Sequence, residues 1–107
     1  MKLWVDDVRP APEGYFWCKS VNEAINTILA NERWNAYCLF EEMDIITLID
    51  LDHDAGDYAQ YGGDYIKILD WLEETDRDYP IRIHSMNPVG RGNMRRIIRK
   101  NGWKEID

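Results

Sequence analysis

Ile45-Ile46-Thr47-Leu48-Ile49-Asp50-Leu51-Asp52-His53-Asp54 is the stretch whose reading decides the fold. A near-continuous run of β-branched and leucine side chains suits a central strand of a parallel sheet, buried on both faces. The predicted strand covers 45–49 and runs into the polar cluster Asp52-His53-Asp54. Two shorter runs share this form. Leu3-Trp4-Val5 ends at Asp6-Asp7, and Ile81-Arg82-Ile83, opened by Pro80, ends at His84-Ser85. Tyr15-Phe16-Trp17-Cys18 is an aromatic-rich strand candidate, and Trp103 to Ile106 is a short last one.

Helical patterns lie between these runs. Ser20-Val21-Asn22-Glu23 is a capping box, and Val21, Ala24, Ile25, Ile28 and Leu29 follow it as one apolar stripe. Glu41-Glu42-Met43-Asp44 reads as an exposed connection, and 56–63 as a loop. Asp64 is a cap for a helix carrying Tyr65, Ile68, Leu69 and Leu72. Asn87-Pro88 caps another helix, in which Met94, Ile97 and Ile98 face inward while Arg91, Arg95 and Arg99 face out, and Asn101-Gly102 stops it. Strands alternating with helices predict one α/β domain over residues 1–107, with about five mostly parallel strands and helices on both faces. The loop between the first two strands is too short for an ordinary helical crossover, so the direction of the second strand stays open.

The 107 residues carry 20 acidic and 13 basic side chains, a net charge of −7. Residues 82–104 reverse that sign, with Arg82, Arg91, Arg95, Arg96, Arg99, Lys100 and Lys104 and no acidic residue. Long DNA is not the expected partner of so acidic a chain. No apolar run approaches the ~18–20 residues of a membrane span. Cys18 and Cys38 make no CxxC pair, and Asp6-Asp7 comes too early for a signal peptide, so a reducing cytoplasm is the expected setting.

In open parallel sheets, ligands bind beyond the carboxyl ends of the strands. Asp6-Asp7, Asp52-His53-Asp54 and His84-Ser85 would all meet at that edge. Clustered carboxylates repel, and a bound cation or a shared proton relieves them. Oxygen donors favour magnesium, manganese or calcium, while His53 and His84 leave zinc or iron open. His84-Ser85-Met86-Asn87 leads into a helix whose first turns hold Gly90 and Gly92. A helix start attracts phosphate, glycine permits close approach, and Arg91 adds a charge-assisted bond. Plainer readings stand beside these: Asp64 and Asn87 as caps, Ser85 as a turn bond, Asp50 as a partly exposed strand end outside the site. Trp4, Trp17, Trp71 and Trp103 read as core, and Arg95, Arg96, Arg99 and Lys100 as a solvated face.

Asp6-Asp7-Val8-Arg9-Pro10-Ala11-Pro12, Leu51-Asp52-His53-Asp54, Gly63-Asp64-Tyr65 and the stretch from His84 to Met94 together resemble the cyclic-phosphate processing receiver domain family. The resemblance implies a receiver-like, flavodoxin-like three-layer fold and action on cyclic phosphates of nucleotides or RNA ends. It implies a site lined by Asp6, Asp7, Asp52, His53, Asp54, His84, Ser85, Asn87, Gly90, Arg91 and Asn93. The sequence departs from the family pattern at Asp50, where a small residue is more usual, and at Gly62, where threonine is common.

The expected activity is a metal-dependent phosphodiesterase opening a cyclic phosphate. Asp6, Asp7 and one of Asp52 or Asp54 would hold magnesium or manganese. His53 would serve as base toward water, or His84 as acid toward the leaving alkoxide, and covalent attack by Asp52 is a variant. Arg9, Ser85, Asn87, Gly90, Arg91 and Asn93 would contact the phosphate. A sensor or sponge that binds a cyclic nucleotide without cleaving it is the alternative. A phosphoacceptor receiver is the third class, though Lys104 stands near the start of the last strand rather than at its end.

Overall fold

A computed structural model describes residues 1–37 and 45–107. The connection read at Glu41 to Asp44, and Cys38, lie outside the described residues. Strands β1 (Lys2–Val5), β2 (Tyr15–Cys18), β3 (Leu48–Leu51), β4 (Ile81–Ile83) and β5 (Glu105–Ile106) form one sheet in the order β2-β1-β3-β4-β5. Every neighbouring pair is parallel. Helices α1 (Val21–Tyr37), α2 (Ile66–Glu74) and α3 (Pro88–Asn101) connect them, and a 3₁₀ helix spans Gly56–Tyr61, where only a loop was expected. The central strand β3 starts three residues later than predicted and takes in Asp50 and Leu51.

The chain is α/β, but its helices lie on one face. Side chains alternate along a strand, so Leu3, Val5, Ile49, Leu51, Ile81 and Ile83 point the same way. They share a single core with Ala24 and Ile28 of α1, Ile68, Leu69 and Leu72 of α2, and Met94 and Ile98 of α3. Helix α1 packs beside α2, and α2 beside α3. This gives two layers among the described residues, where helices on both faces were expected. Topology is the cause. From β2 through β3 and β4 to β5 the chain advances in one direction, and right-handed crossovers taken in one direction fall on one side. The step from β1 to β2 runs the other way, and its loop, 6–14, carries no helix. That loop is pinned by two indoles: Trp4 Nε1 donates to the Arg9 carbonyl (2.9 Å) and Trp17 Nε1 to the Asp6 carbonyl (2.8 Å).

The capping box forms at α1, where the Ser20 hydroxyl accepts the Glu23 N–H at 3.0 Å. The buried stripe of α1 is narrower than predicted: Val21, Ala24 and Ile28 are buried while Leu29 is exposed, because only one helix face meets the sheet. Asp64 caps nothing; its Oδ1 accepts the Ala55 N–H at 3.0 Å and braces the segment after β3. The fully buried Tyr65 donates its hydroxyl to the Lys19 carbonyl at 2.7 Å, tying α2 to the end of β2. Cys18 lies in the core, where burial pushes its thiol up to about 12.

A polar clamp closes the far end of the helical layer. Arg77 donates to both oxygens of Glu32 on α1, with contacts of 2.8–3.1 Å, and the Tyr79 hydroxyl adds a third donor. The Arg77 hydrogen bonds, helped by Tyr79, outweigh burial and hold the Glu32 carboxyl below its ordinary 4.5. A carboxyl lowered on folding stabilises the protein above its unfolded pKa, and that contribution is lost as pH falls through the folded value. Glu32→Gln is therefore expected to lower the melting temperature at pH 7, with the gap from wild type narrowing below about pH 4. Thermal melts by circular dichroism across pH 3–7 check this, and a gap independent of pH would refute it.

Candidate functional site

Strands β1, β3 and β4 are neighbours, so the residues that follow them converge at one edge. Asp6 is fully buried. Its Oδ1 accepts the N–H groups of Val8 and Arg9, both at 3.0 Å, and its Oδ2 lies 2.9 Å from His84 Nε2. Burial opposes the Asp6 charge, but the Arg9 and Val8 N–H groups and His84 outweigh it and hold the carboxyl below the ordinary range. Asp7 moves the other way: burial raises it, and the adjacent charges of Asp6 and Asp52 add to the rise.

His84 is the centre of the cluster. Its side chain is only 7% exposed, with Nδ1 2.7 Å from Asp50 Oδ1 and Nε2 on Asp6. Trp4 stacks on the ring face, with centroids 3.8 Å apart and planes 3° from parallel. Donor atoms of Asp6, Asp52 and His84 all lie within 4.8 Å of one another, a spacing that one cation can span. Two carboxylates and an imidazole are an ordinary donor set for a divalent metal, so the residues present fit the expected group. Asp54, expected among the ligands, turns elsewhere: its Oδ1 lies 2.8 Å from His53 Nδ1, and its Oδ2 accepts from Asn87 Nδ2 at 3.5 Å.

His53 sits apart from that cluster. Its ring lies against Gly90 at the start of α3, where a Cβ would overlap the imidazole. Gly90 is thus required by the His53 ring, whatever else approaches this turn. Gly92 faces open space. Asn87 caps α3 through Oδ1 to the Gly90 N–H at 3.1 Å, and the buried Ser85 hydroxyl accepts the Asn87 N–H at 3.0 Å. Both oxygens thus take the plainer structural role weighed for them. The Arg91 N–H is bound by the Asn87 carbonyl at 2.9 Å.

The cationic residues lie over and beside the acidic pair. Arg9 reaches Asp6 at 3.7 Å and Asp52 at 3.9 Å, with 46% of its side chain exposed. Arg91 donates to the Ser85 carbonyl at 3.3 Å and, with Arg82, His84 and Arg95, lines a cavity of about 360 Å³ beside β4 and β5. Asn93 is half-buried on α3.

Asp50 is the residue that sequence reasoning left out. It is fully buried, bonded to His84 and paired with Arg82 Nη1 at 3.2 Å. Its position two residues before Asp52 was the available signal, because that spacing puts both on one face of the strand.

A parallel sheet with acidic and histidine side chains at adjacent strand ends defines a receiver-like α/β domain. The family model for the cyclic-phosphate processing receiver domain matches residues 1–100, and the chain belongs to this family. No curated protein and no solved structure matches it. Among the described residues, no helix is long and apolar enough to cross a membrane.

The two glycines of α3 are expected to respond oppositely to alanine. Gly90→Ala forces the His53 ring aside and should cost about 1–3 kcal/mol, the range for overpacking. Gly92→Ala should gain about 0.5–1 kcal/mol from helix propensity. Urea unfolding of both variants gives the comparison, and equal effects would contradict this account of Gly90.

Proposed function

We propose that the protein is a metal-dependent phosphodiesterase that opens cyclic phosphates of nucleotides or RNA ends. The observation that carries this reading is the convergence of Asp6, Asp52 and His84 donor atoms within 4.8 Å; a second histidine, His53, directly follows Asp52 and is oriented by Asp54. Membership of a cyclic-phosphate processing family supports this substrate class.

Asp6, Asp52 and His84 would hold the cation, with Asp7 alongside; magnesium and manganese are the candidates. When bound, the metal polarises a phosphoryl oxygen. Arg9 lies within 4 Å of both carboxylates, and its exposed guanidinium can turn to a non-bridging oxygen of the substrate. Arg91 stands ready on the α3 side for another. His53 is the base: a carboxylate only accepts, so with Nδ1–H donated to Asp54 the lone pair is on Nε2. His53 Nε2 takes a proton from the attacking water as the new P–O bond forms. The P–O bond to the ribose oxygen breaks, and the same proton passes to the leaving alkoxide. His84, buried between two carboxylates, holds the site together rather than exchanging protons with substrate.

Incubation with 2′,3′-cyclic nucleotides in manganese, in magnesium and with chelator, read by chromatography, tests the proposal. Ring opening is expected with metal and not with chelator. Asp52→Asn should abolish it, and His53→Asn should lower kcat by about 100- to 10,000-fold, the usual share of a general base. Saturable binding of the nucleotides without any product would instead make the protein a sensor or sponge.

A further inference from the structure

We propose that Asp50 is a positioning residue for the cation site: it holds the His84 ring so that Nε2 faces Asp6 and Asp52, and so biases the site toward Mn²⁺ over Mg²⁺. This rests on the preceding reading that the site takes a divalent cation. The geometry comes from three directions. Asp50 Oδ1 lies 2.7 Å from Nδ1, Trp4 covers the ring face at 3.8 Å, and Asp6 Oδ2 stands 2.9 Å from Nε2. A carboxylate accepts and cannot donate, so in the absence of a cation both ring nitrogens carry protons, Nδ1–H toward Asp50 and Nε2–H toward Asp6. A bound cation would take the place of the Nε2 proton while Nδ1–H stays on Asp50. Hydrogen bonding of the second ring nitrogen to a carboxylate is the usual support of a metal-bound histidine.

Asp50 is well placed for this role. It is fully buried on β3, two residues before Asp52 and therefore on the same strand face. Arg82 Nη1 stands 3.2 Å from its other oxygen, so both carboxylate oxygens are held by neighbouring side chains. Mg²⁺ prefers oxygen donors and gives up its water reluctantly, whereas Mn²⁺, the first member of the first-row divalent series at mixed nitrogen and oxygen sites, tolerates an imidazole among carboxylates better than Mg²⁺ does. A histidine locked toward two carboxylates therefore favours Mn²⁺, and the lock depends on a side chain that supplies none of the three donor atoms.

The test is metal affinity, independent of turnover: Mn²⁺ binding by electron paramagnetic resonance and Mg²⁺ by competition. Wild type should bind Mn²⁺ more tightly than Mg²⁺. Asp50→Ala should weaken Mn²⁺ by about 10- to 100-fold, the usual effect of losing such a support, while Mg²⁺ affinity changes far less. Asp50→Asn keeps an acceptor for Nδ1–H and should fall between the two; it also carries the test if the alanine variant does not fold. Wild-type Mn²⁺ affinity in the variants, or an equal loss for both metals, overturns the role of Asp50. A wild type that binds neither metal overturns the cation reading beneath it, and one that binds both equally overturns the proposed bias alone.

Discussion

The carboxyl ends of β1, β3 and β4 are joined by one imidazole. Asp6 and Asp50 are both fully buried and sit on adjacent strands, an arrangement that carries a large desolvation cost when nothing compensates it. His84 places a ring nitrogen against each, and a guanidinium stands beyond each: Arg82 on Asp50 at 3.2 Å and Arg9 on Asp6 at 3.7 Å. The result is an ordered row, Arg82–Asp50–His84–Asp6–Arg9, in which donor groups alternate with carboxylates. Losing the ring would leave two buried carboxylates facing each other. The acidic edge of this sheet is tolerable because of that row.

The same row explains how the sheet manages without a second helical layer among the described residues. On the face away from the helices, Trp17, Trp4, Asp50 and Arg82 stand side by side across four strands. Trp4 is stacked on His84 and touched edge-on by Tyr15, with ring centroids 5.9 Å apart. Lys2 lies over Tyr15 and Lys19 over Trp17. Aromatic rings and the aliphatic stems of charged residues thus cover surface that a helix would otherwise bury. A polar network inside a packed face also fixes its members in place, since every atom has a partner that a shift would remove. The rigidity of the site and the cover of the sheet come from one set of contacts.

Much of this was legible in the sequence. Alternating strands and helices, the stripes on α2 and α3, and three polar strand ends predicted a parallel sheet with the site at its edge. The layering was not legible, because helix sidedness depends on strand order, and strand order is not written in local periodicity. Asp50 was missed for a related reason. An aspartate closing an apolar run looks like an exposed strand end unless the partners that neutralise it, Arg82 and His84, are known to stand across from it. Gly90 shows the same dependence: a glycine at a helix start signals close approach, and only the fold shows that the His53 ring approaches it. Local pattern gave the elements, while long-range pairing decided what each polar residue does.

The two histidines show how far that pairing separates residues of one type. His53 keeps 16% of its side chain exposed and meets one carboxylate, Asp54, which is itself 63% exposed. His84 is 7% exposed and meets two carboxylates that are fully buried. A group that exchanges protons with water and substrate needs one ring nitrogen free and a route to solvent, and the surroundings of His53 meet both needs. A group that holds a structure needs both nitrogens engaged, which is the condition of His84. The α3 start packs against His53: Asn87 caps the helix and reaches Asp54, and Gly90 makes room for the ring that Asp54 orients. Two guanidinium groups stand at the rim of this edge, Arg9 against Asp6 and Asp52, and Arg91 against the Ser85 carbonyl on the α3 side. The stretch from His84 to Met94 therefore carries both the imidazole fixed between two buried carboxylates and the helix start against which the His53 ring packs.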